Sequence, residues 1–168
     1  MSLNKDKLEE LSISRDDNSI KLSEERKVER ENKDLLLKDL TERLIYHVVL
    51  SFNDGEIEPI YSIRENGLNY MINDAYYVEE AKPYLFPLSS MTEEQLNELK
   101  TYADLKYKLN TLELVEWKDG YKTLEFWLEE TPSYCVIKVF DWLNKNHFDY
   151  RGLIDKGLAI DATGLNIY

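Results

Sequence analysis

Two histidines and one cysteine are the residues of this sequence whose side chains most readily do chemistry near neutral pH. A hydrolytic zinc site usually takes three protein ligands, and His147 and Asp149 are only two. A Cys–His nucleophile pair needs an accessible thiol, but Cys135 falls in the first turn of an apolar helical pattern, where a small buried side chain is expected. We therefore predict no metal, no cofactor and no catalytic residue.

Phosphate loops and carboxylate pairs are not indicated either. The six glycines are isolated from one another, so the sequence has no glycine-rich phosphate loop. Paired acids such as Glu79 and Glu80 are neighbours in the chain and point in different directions. The pattern favours a protein that is not an enzyme. The enzymatic alternative is a small hydrolase-like protein, whose site would be assembled from His47, His147, Asp149 and Arg151.

Acidic residues are concentrated in the middle of the chain. The 168 residues carry 33 Asp and Glu against 21 Lys and Arg, a formal net charge of −12. Residues 46–130 hold seventeen acidic and seven basic side chains, whereas residues 131–168 hold four of each. A negative field repels phosphate, which disfavours direct binding to nucleic acid or membrane and favours a basic protein partner. Alternatively, the acidic surface only keeps the protein soluble.

The C-terminal segment contains the first group of candidate partner-binding residues. Within residues 147–161, these are His147, Asp149, Tyr150 and Arg151. We expect Arg151 to pair with Asp149 or Asp155. The competing interpretation, which we favour, is a structural plug that ties down the chain end by inserting Leu153 and Ile154 into the core.

Tyrosines of the acidic region form the second group of candidates. Five of the twelve tyrosines lie between Tyr61 and Tyr84. Tyrosine is enriched at interfaces because it offers a large contact area with few rotatable bonds, although it is also an ordinary strand residue. The candidate partner-binding tyrosines are Tyr61, Tyr70, Tyr76 and Tyr77.

The first predicted element is a helix over residues 23–43, for which Ser23 is a suitable N-cap. Residues 1–22 are predicted to be an arm that is mobile or depends on a partner, and residues 23–168 a single domain. Residues 45–52, the Asn53-Asp54-Gly55 turn and residues 56–63 predict a hairpin, whose second strand lies at an edge or bulge because it contains Pro59. Further extended stretches at 68–72 and 75–78 predict a small antiparallel meander or open barrel.

Two further helices and a second hairpin complete the prediction. Residues 82–88 are expected to be an extended crossing that two prolines hold. Thr92 and Gln95 have the spacing of a capping box for a helix that runs to about Lys108. A hairpin is predicted over 112–128 around Asp119-Gly120, and a last helix over 132–146 begins after a Thr131 cap. The fold class is therefore α+β.

Three sequence blocks resemble a known group of proteins. The blocks are KDLLLKDLTERLIY (33–46), KPYLFPLSSMTEEQ (82–95) and WLNKNHFDYRGLIDKGLAID (142–161). They resemble small uncharacterised proteins of phages, prophages and mobile elements of Bacteroides and its relatives. The resemblance implies an origin in a gut bacterium or its mobile DNA and action inside the cell, and it implies no catalytic residue. One departure is clear: a Leu-Pro-Tyr-Gly-Val turn is expected where this chain has Leu44, Ile45, Tyr46, His47 and Val48.

These observations predict a cytoplasmic, non-enzymatic accessory module of a phage or mobile element, which binds another protein through an acidic surface formed by residues 46–130. No apolar run approaches the ~20 residues of a membrane span, and the charged N-terminus does not resemble a signal peptide. Besides the hydrolase-like enzyme, the remaining alternative is a structural or assembly protein that forms a homo-oligomer through its N-terminal helix.

Overall fold

The computed structural model describes residues 3–103, 112–116, 122–126 and 133–168, with side chains over 20–103 and 133–168. Its elements confirm the α+β class. The first helix, α1, spans Leu3–Arg43 and is therefore much longer than the predicted helix over 23–43. Asp16-Asp17-Asn18-Ser19 is a polar run inside this longer helix. It contains neither Gly nor Pro, and its residues each cost a helix only about 0.5 kcal/mol, so α1 continues through it.

The chain divides into two compact units, Met1–Leu35 and Leu36–Tyr168. In the first unit, the described side chains of residues 20–31 are all exposed. Lys27 and Glu31 form a surface ion pair one helical turn apart, at 3.8 Å. In the second unit, Leu36 and Leu40 begin the buried core. The predicted separation of residues 1–22 from a domain over 23–168 stays a prediction.

The main sheet has the strand order β10-β6-β1-β2, and β9 also pairs with β6. Its strands are β1 (Val49–Phe52), β2 (Ile57–Pro59), β6 (Ala81–Pro87), β9 (Phe148–Asp149) and β10 (Ile160–Asp161). β1 is antiparallel to β2 and β6, whereas β9 and β10 are parallel to β6. The predicted hairpin is confirmed, and so is the edge position of the strand that contains Pro59.

The central strand of the main sheet, β6, was not predicted, and neither were the short strands β9 and β10. Residues 82–88 were predicted to be an extended crossing, but β6 pairs with three other strands. A proline has no N–H to donate, so prolines such as Pro83 ordinarily argue against a central strand. Here Pro83 lies opposite Leu50 of β1, and β6 forms its remaining hydrogen bonds through its other residues.

The second sheet is a three-stranded antiparallel meander, as predicted. It consists of β3 (Ile63–Asn66), β4 (Asn69–Ile72) and β5 (Tyr76–Tyr77). Asn73 and Asp74 turn the chain between β4 and β5 with positive φ angles of 51° and 60°, which Asn and Asp tolerate better than most residues. The Asn73 amide also donates to Glu58 Oε1 at 2.9 Å and to Pro59 O at 3.0 Å, which links the meander to β2.

Two more helices and a hairpin follow. They are α2 (Glu93–Tyr102), β7 (Leu112–Glu116), β8 (Lys122–Phe126) and α3 (Ser133–Lys145). The capping box is confirmed, because Thr92 Oγ1 accepts the Gln95 N–H and Gln95 Oε1 accepts the Thr92 N–H. The pairing of β7 with β8 confirms the second hairpin. The predicted continuation of α2 to Lys108, the Asp119-Gly120 turn and the Thr131 cap lie outside the described residues.

The core between α2, α3 and β9 is apolar. Its buried residues are Met91, Leu99, Ala103, Cys135, Val139, Trp142, Leu143 and Phe148. Trp142 stacks on Phe148 with ring centroids 5.7 Å apart. Cys135 is buried, as predicted, whereas Phe140 of the same helix is exposed. No helix within the described ranges is long and apolar enough to cross a membrane.

We predict that Leu153→Ala will lower the free energy of unfolding by about 2–5 kcal/mol, because Leu153 is fully buried and its truncation leaves a cavity. Leu68→Ala is the matched control, since Leu68 is 99% exposed, and we expect a change within about 0.5 kcal/mol. Urea denaturation of both variants measures the difference. Equal midpoints for Leu153→Ala and the unsubstituted protein would contradict the insertion of this segment into the core.

Candidate functional site

A buried ion pair connects the end of α1 to the C-terminal segment. Asp39 and Arg43 are four residues apart, so their side chains meet on one helix face, with Arg43 Nε 2.7 Å from Asp39 Oδ2. Both side chains are 0% exposed. A buried guanidinium needs acceptors for its other N–H groups, and Arg43 donates to Phe148 O at 2.8 Å and to Asn144 O at 3.4 Å.

Arg151 extends this pair into a cluster of four charged residues, Asp39, Glu42, Arg43 and Arg151, which we call the charged junction. Its guanidinium donates to Asp39 Oδ1 at 2.7 Å and also to Glu42 Oε2. The prediction that the Arg151 side chain pairs with Asp149 or Asp155 is therefore wrong. The segment folds back so that its guanidinium reaches α1, about one hundred residues away in sequence, and sequence spacing does not reveal such a contact.

The charged junction shifts the pKa values of its neighbours. Burial raises the pKa of Glu42, but hydrogen bonds and the positive charge of Arg151 outweigh it, so the Glu42 pKa lies below its ordinary value. Burial raises the pKa of Tyr150 to about 12, although the positive charge of Arg151 opposes the shift. The Tyr150 hydroxyl lies 3.1 Å from both Glu42 Oε2 and Asn144 Oδ1, and its ring lies 4.5 Å from the Arg151 guanidinium carbon. Glu42 and Arg151 are therefore both charged at neutral pH.

The Asp149 side chain accepts hydrogen bonds from the backbone of the loop that follows it. Its buried carboxylate accepts the backbone N–H groups of Arg151, Leu153 and Ile154 at 3.2, 3.0 and 2.8 Å. Three backbone donors occupy a carboxylate that a general base would need to keep available. Leu153 is fully buried, as the plug interpretation expects, whereas Ile154 is only half-buried.

The two histidines occupy similar backbone conformations in different surroundings. His47 and His147 have φ angles of 51° and 58°, in the left-handed region. His47 stands where the resemblance predicts glycine, and it adopts a conformation that glycine reaches at little cost. His47 Nδ1 lies 3.1 Å from Ile60 O, and its ring centroid is 5.8 Å from that of Tyr61.

His147 lies in an aromatic environment. Its ring stacks on Tyr168 with centroids 3.9 Å apart and planes within 10°. In the described part of the chain, His147 Nδ1 is the one buried side-chain nitrogen or oxygen without a hydrogen-bond partner. Burial, together with the positive charge of Arg43, lowers the pKa of His147 to about 4. His147 is therefore neutral at physiological pH.

The residues of the enzymatic alternative have separate partners. His47 contacts Ile60 and Tyr61, His147 stacks on Tyr168, and the side chain of Arg151 contacts α1. Among the described residues, no group of three His, Cys, Asp or Glu side chains is arranged to hold a metal ion. No contact described above brings a histidine together with Arg151 in one cleft.

Acidic side chains converge on the turn between β1 and β2. Tyr76 stacks on Phe52 with centroids 3.8 Å apart and donates its hydroxyl to Asp54 Oδ2 at 3.0 Å. Its partial burial, this hydrogen bond and the charges of Asp54, Glu56 and Glu58 raise the pKa of Tyr76. We call Asp54, Glu56, Glu58 and Tyr76 the acidic cluster. Of the other candidate tyrosines, Tyr61 and Tyr77 are exposed and Tyr70 is half-buried.

Sequence analysis missed several polar residues that the structure brings together. The sequence does contain one indication of the Asp39–Arg43 pair: these two residues, four apart, interrupt an apolar helical stripe. It contains none for Asp141. Its carboxylate accepts hydrogen bonds from Tyr102 and from Tyr46, which lower the pKa of Asp141, while burial and Asp141 raise the pKa of Tyr46 to about 12.

No family model, no curated protein and no solved structure matches the chain. Function is therefore inferred from the contacts and charges described above.

We predict that Arg151→Ala will lower the free energy of unfolding by about 1–3 kcal/mol, because it leaves Asp39 and Glu42 short of a charged donor. The control is Arg64→Ala, which removes an ion pair with Asp74 whose side chains are 65% and 63% exposed, and it should cost less than about 1 kcal/mol. Thermal unfolding compares the two variants. An unchanged melting temperature for Arg151→Ala would contradict the plug interpretation and favour a role in partner binding.

The lowered pKa of His147 predicts a pH-dependent stability. Its folded-state pKa of about 4 lies below the ordinary value of 6.5, so the unfolded chain binds this proton more readily. The contribution of neutral His147 is therefore present above pH 6.5 and is lost as the pH falls towards about 4. We expect the free energy of unfolding to fall less for His147→Gln than for the unsubstituted protein as the pH decreases from 6.5 to about 4. His47→Gln is the control: it keeps His147, so it should retain the His147-dependent part of this fall. Denaturation at several pH values measures both variants. Identical profiles for His147→Gln and the unsubstituted protein would refute the assignment.

Proposed function

We propose that the protein is a non-enzymatic, protein-binding accessory module of a phage or mobile element, and that it binds a basic protein through the acidic cluster. The observation that carries the proposal is the contact of the Tyr76 hydroxyl with Asp54 Oδ2 at 3.0 Å, beside Glu56 and Glu58 of the same hairpin. The resemblance of the three sequence blocks supports the origin of the protein and the class of element that carries it.

The part of the chain that contains the acidic cluster has a large excess of negative charge. Residues 46–80 contain seven acidic residues and one basic residue, Arg64. Arg64 pairs with Asp74 at 2.9 Å. The carboxylates of the acidic cluster repel one another, and this repulsion lowers the stability of the folded chain. A basic partner relieves the repulsion, and the same field speeds the encounter with such a partner.

Exposed apolar side chains of the same strands support a protein partner over a small cation. Ile57 of β2 and Tyr77 of β5 are exposed, and because side chains alternate along a strand they lie on the opposite face from their neighbours Glu58 and Tyr76. Aromatic and aliphatic residues of this kind anchor protein interfaces, whereas charges mainly set the association rate and the choice of partner. The expected partner surface is therefore basic where it meets the acidic cluster, and any apolar contact lies on the other face of these strands.

The test compares two triple variants that change the net charge equally. Asp54→Asn with Glu56→Gln and Glu58→Gln neutralises the acidic cluster, and asparagine keeps an acceptor for the Glu56 N–H that Asp54 Oδ1 now accepts at 3.1 Å. The control neutralises three exposed acids of α1, with Glu24→Gln, Glu25→Gln and Glu29→Gln. Each immobilised protein captures partners from a Bacteroides lysate at about 50 and about 500 mM salt, which screens exposed charges to different extents.

We expect one basic protein to be captured at low salt by the unsubstituted protein and by the α1 variant. The captured protein is then purified. We expect its dissociation constant to be at least about tenfold higher for the acidic-cluster variant than for the unsubstituted protein, because three ion pairs at the surface each contribute about 0.5 kcal/mol. Equal affinity for all three proteins would refute the acidic cluster as the interface. A loss confined to the α1 variant would instead favour assembly through α1, and the absence of any captured protein at either salt would refute the proposal. Circular dichroism melts verify that both variants fold.

A further inference from the structure

An open pocket of about 490 Å³ lies on the second unit. None of the described residues that line it belongs to the acidic cluster. Its walls come from the approach to α2, the end of α3 and the last residues of the chain, and include Ser90, Gln95, Lys145, His147, Gly164 and Tyr168. Its volume is within the ~300–1,000 Å³ of typical small-molecule sites.

One wall of the pocket is aromatic. It contains His147 and Tyr168, whose rings stack on each other, and Phe86, whose ring is tilted against Tyr168 with centroids 5.9 Å apart. The Tyr168 hydroxyl donates to Tyr84 O at 2.6 Å and lies 3.3 Å from the Val49 N–H, which fixes the ring. A preformed wall of this kind suits a planar ring, because binding does not require the wall to become ordered.

The charge of the pocket is opposite to that of the chain. Among the described residues that line it, Lys145 is the one whose side chain is charged at neutral pH, and no lining side chain is a carboxylate. Asp141 lies one turn before Lys145 and stays charged, because its hydrogen bonds from Tyr102 and Tyr46 and the charge of Lys145 lower its pKa, so it offsets part of the Lys145 charge. In a chain with 33 acidic residues, this lining favours an anion.

His147 supplies a further polar group. Its buried Nδ1 has no hydrogen-bond partner in the described part of the chain. In the neutral ring one nitrogen carries the proton and the other is an acceptor. His147 therefore adds to the pocket lining an imidazole ring whose other face is covered by Tyr168.

We propose that this pocket binds a small organic anion with a planar aromatic ring. The ring lies on the wall formed by His147 and Tyr168, and the acidic group lies near the Lys145 ammonium. This site is independent of the acidic cluster, so either proposal stands if the other fails.

Phenyl phosphate is the probe, and inorganic phosphate and phenol each present one half of its chemistry. Titration calorimetry and ¹H–¹⁵N spectra of the full chain measure binding up to about 10 mM, a range that covers millimolar dissociation constants. We expect phenyl phosphate to bind at least about tenfold more tightly than either control compound, which corresponds to about 1.4 kcal/mol, and to shift the Gly164 amide resonance. Equal binding of phenol, equal binding of inorganic phosphate, or no binding of phenyl phosphate would overturn the proposal.

Two matched lysine variants locate the binding site. Lys145→Gln should weaken phenyl phosphate binding by about fivefold, since one ion pair is lost. Lys156→Gln removes the same charge from an exposed residue outside the pocket lining and should leave the affinity unchanged. Equal effects of the two substitutions would show non-specific attraction and overturn the site. Both lysines lie at the surface, and thermal melts verify that both variants fold.

Discussion

The buried pair of Asp39 and Arg43 is the interaction on which the arrangement of the second unit depends. Removing two charges from water is costly, and the cost is offset only when every donor and acceptor finds a partner. Arg43 finds its partners in the carbonyl groups of Asn144 and Phe148, and Asp39 finds a second partner in Arg151. The pair therefore specifies where the end of α3, the strand β9 and the following loop must lie against α1.

The elements predicted correctly were those with local signals. A turn sequence between alternating residues gave the hairpins, and the spacing of Thr92 and Gln95 gave the start of α2. Two errors came from rules that neighbouring structure overrides. Prolines argued against a strand at β6, which the sheet nevertheless places at its centre, and the predicted helix start at residue 23 was too late, because no residue of the preceding polar run forbids a helix.

The surroundings of the candidate residues were less predictable, because long-range contacts determine them. Arg151 was assigned to acids close by in sequence, whereas its partners are Asp39 and Glu42. The absence of the expected glycine at position 47 put the turn after α1 in doubt, yet His47 adopts the left-handed conformation that the turn requires. The acidic cluster was anticipated more closely, because its charges lie within a short run of sequence and hairpin pairing keeps them together.

The charged junction also affects the order in which the chain can fold during synthesis. Arg43 and the carbonyl group of Phe148 are 105 residues apart, and Arg151 and Asp39 are 112 apart. When α1 leaves the ribosome, the acceptors of Arg43 have not yet been made, so its guanidinium must remain hydrated. Burial of the α1 end becomes favourable only after the C-terminal segment emerges. The second unit should therefore complete its folding late, and a nascent chain that stalls before Phe148 would keep the apolar face of α1 open to chaperones.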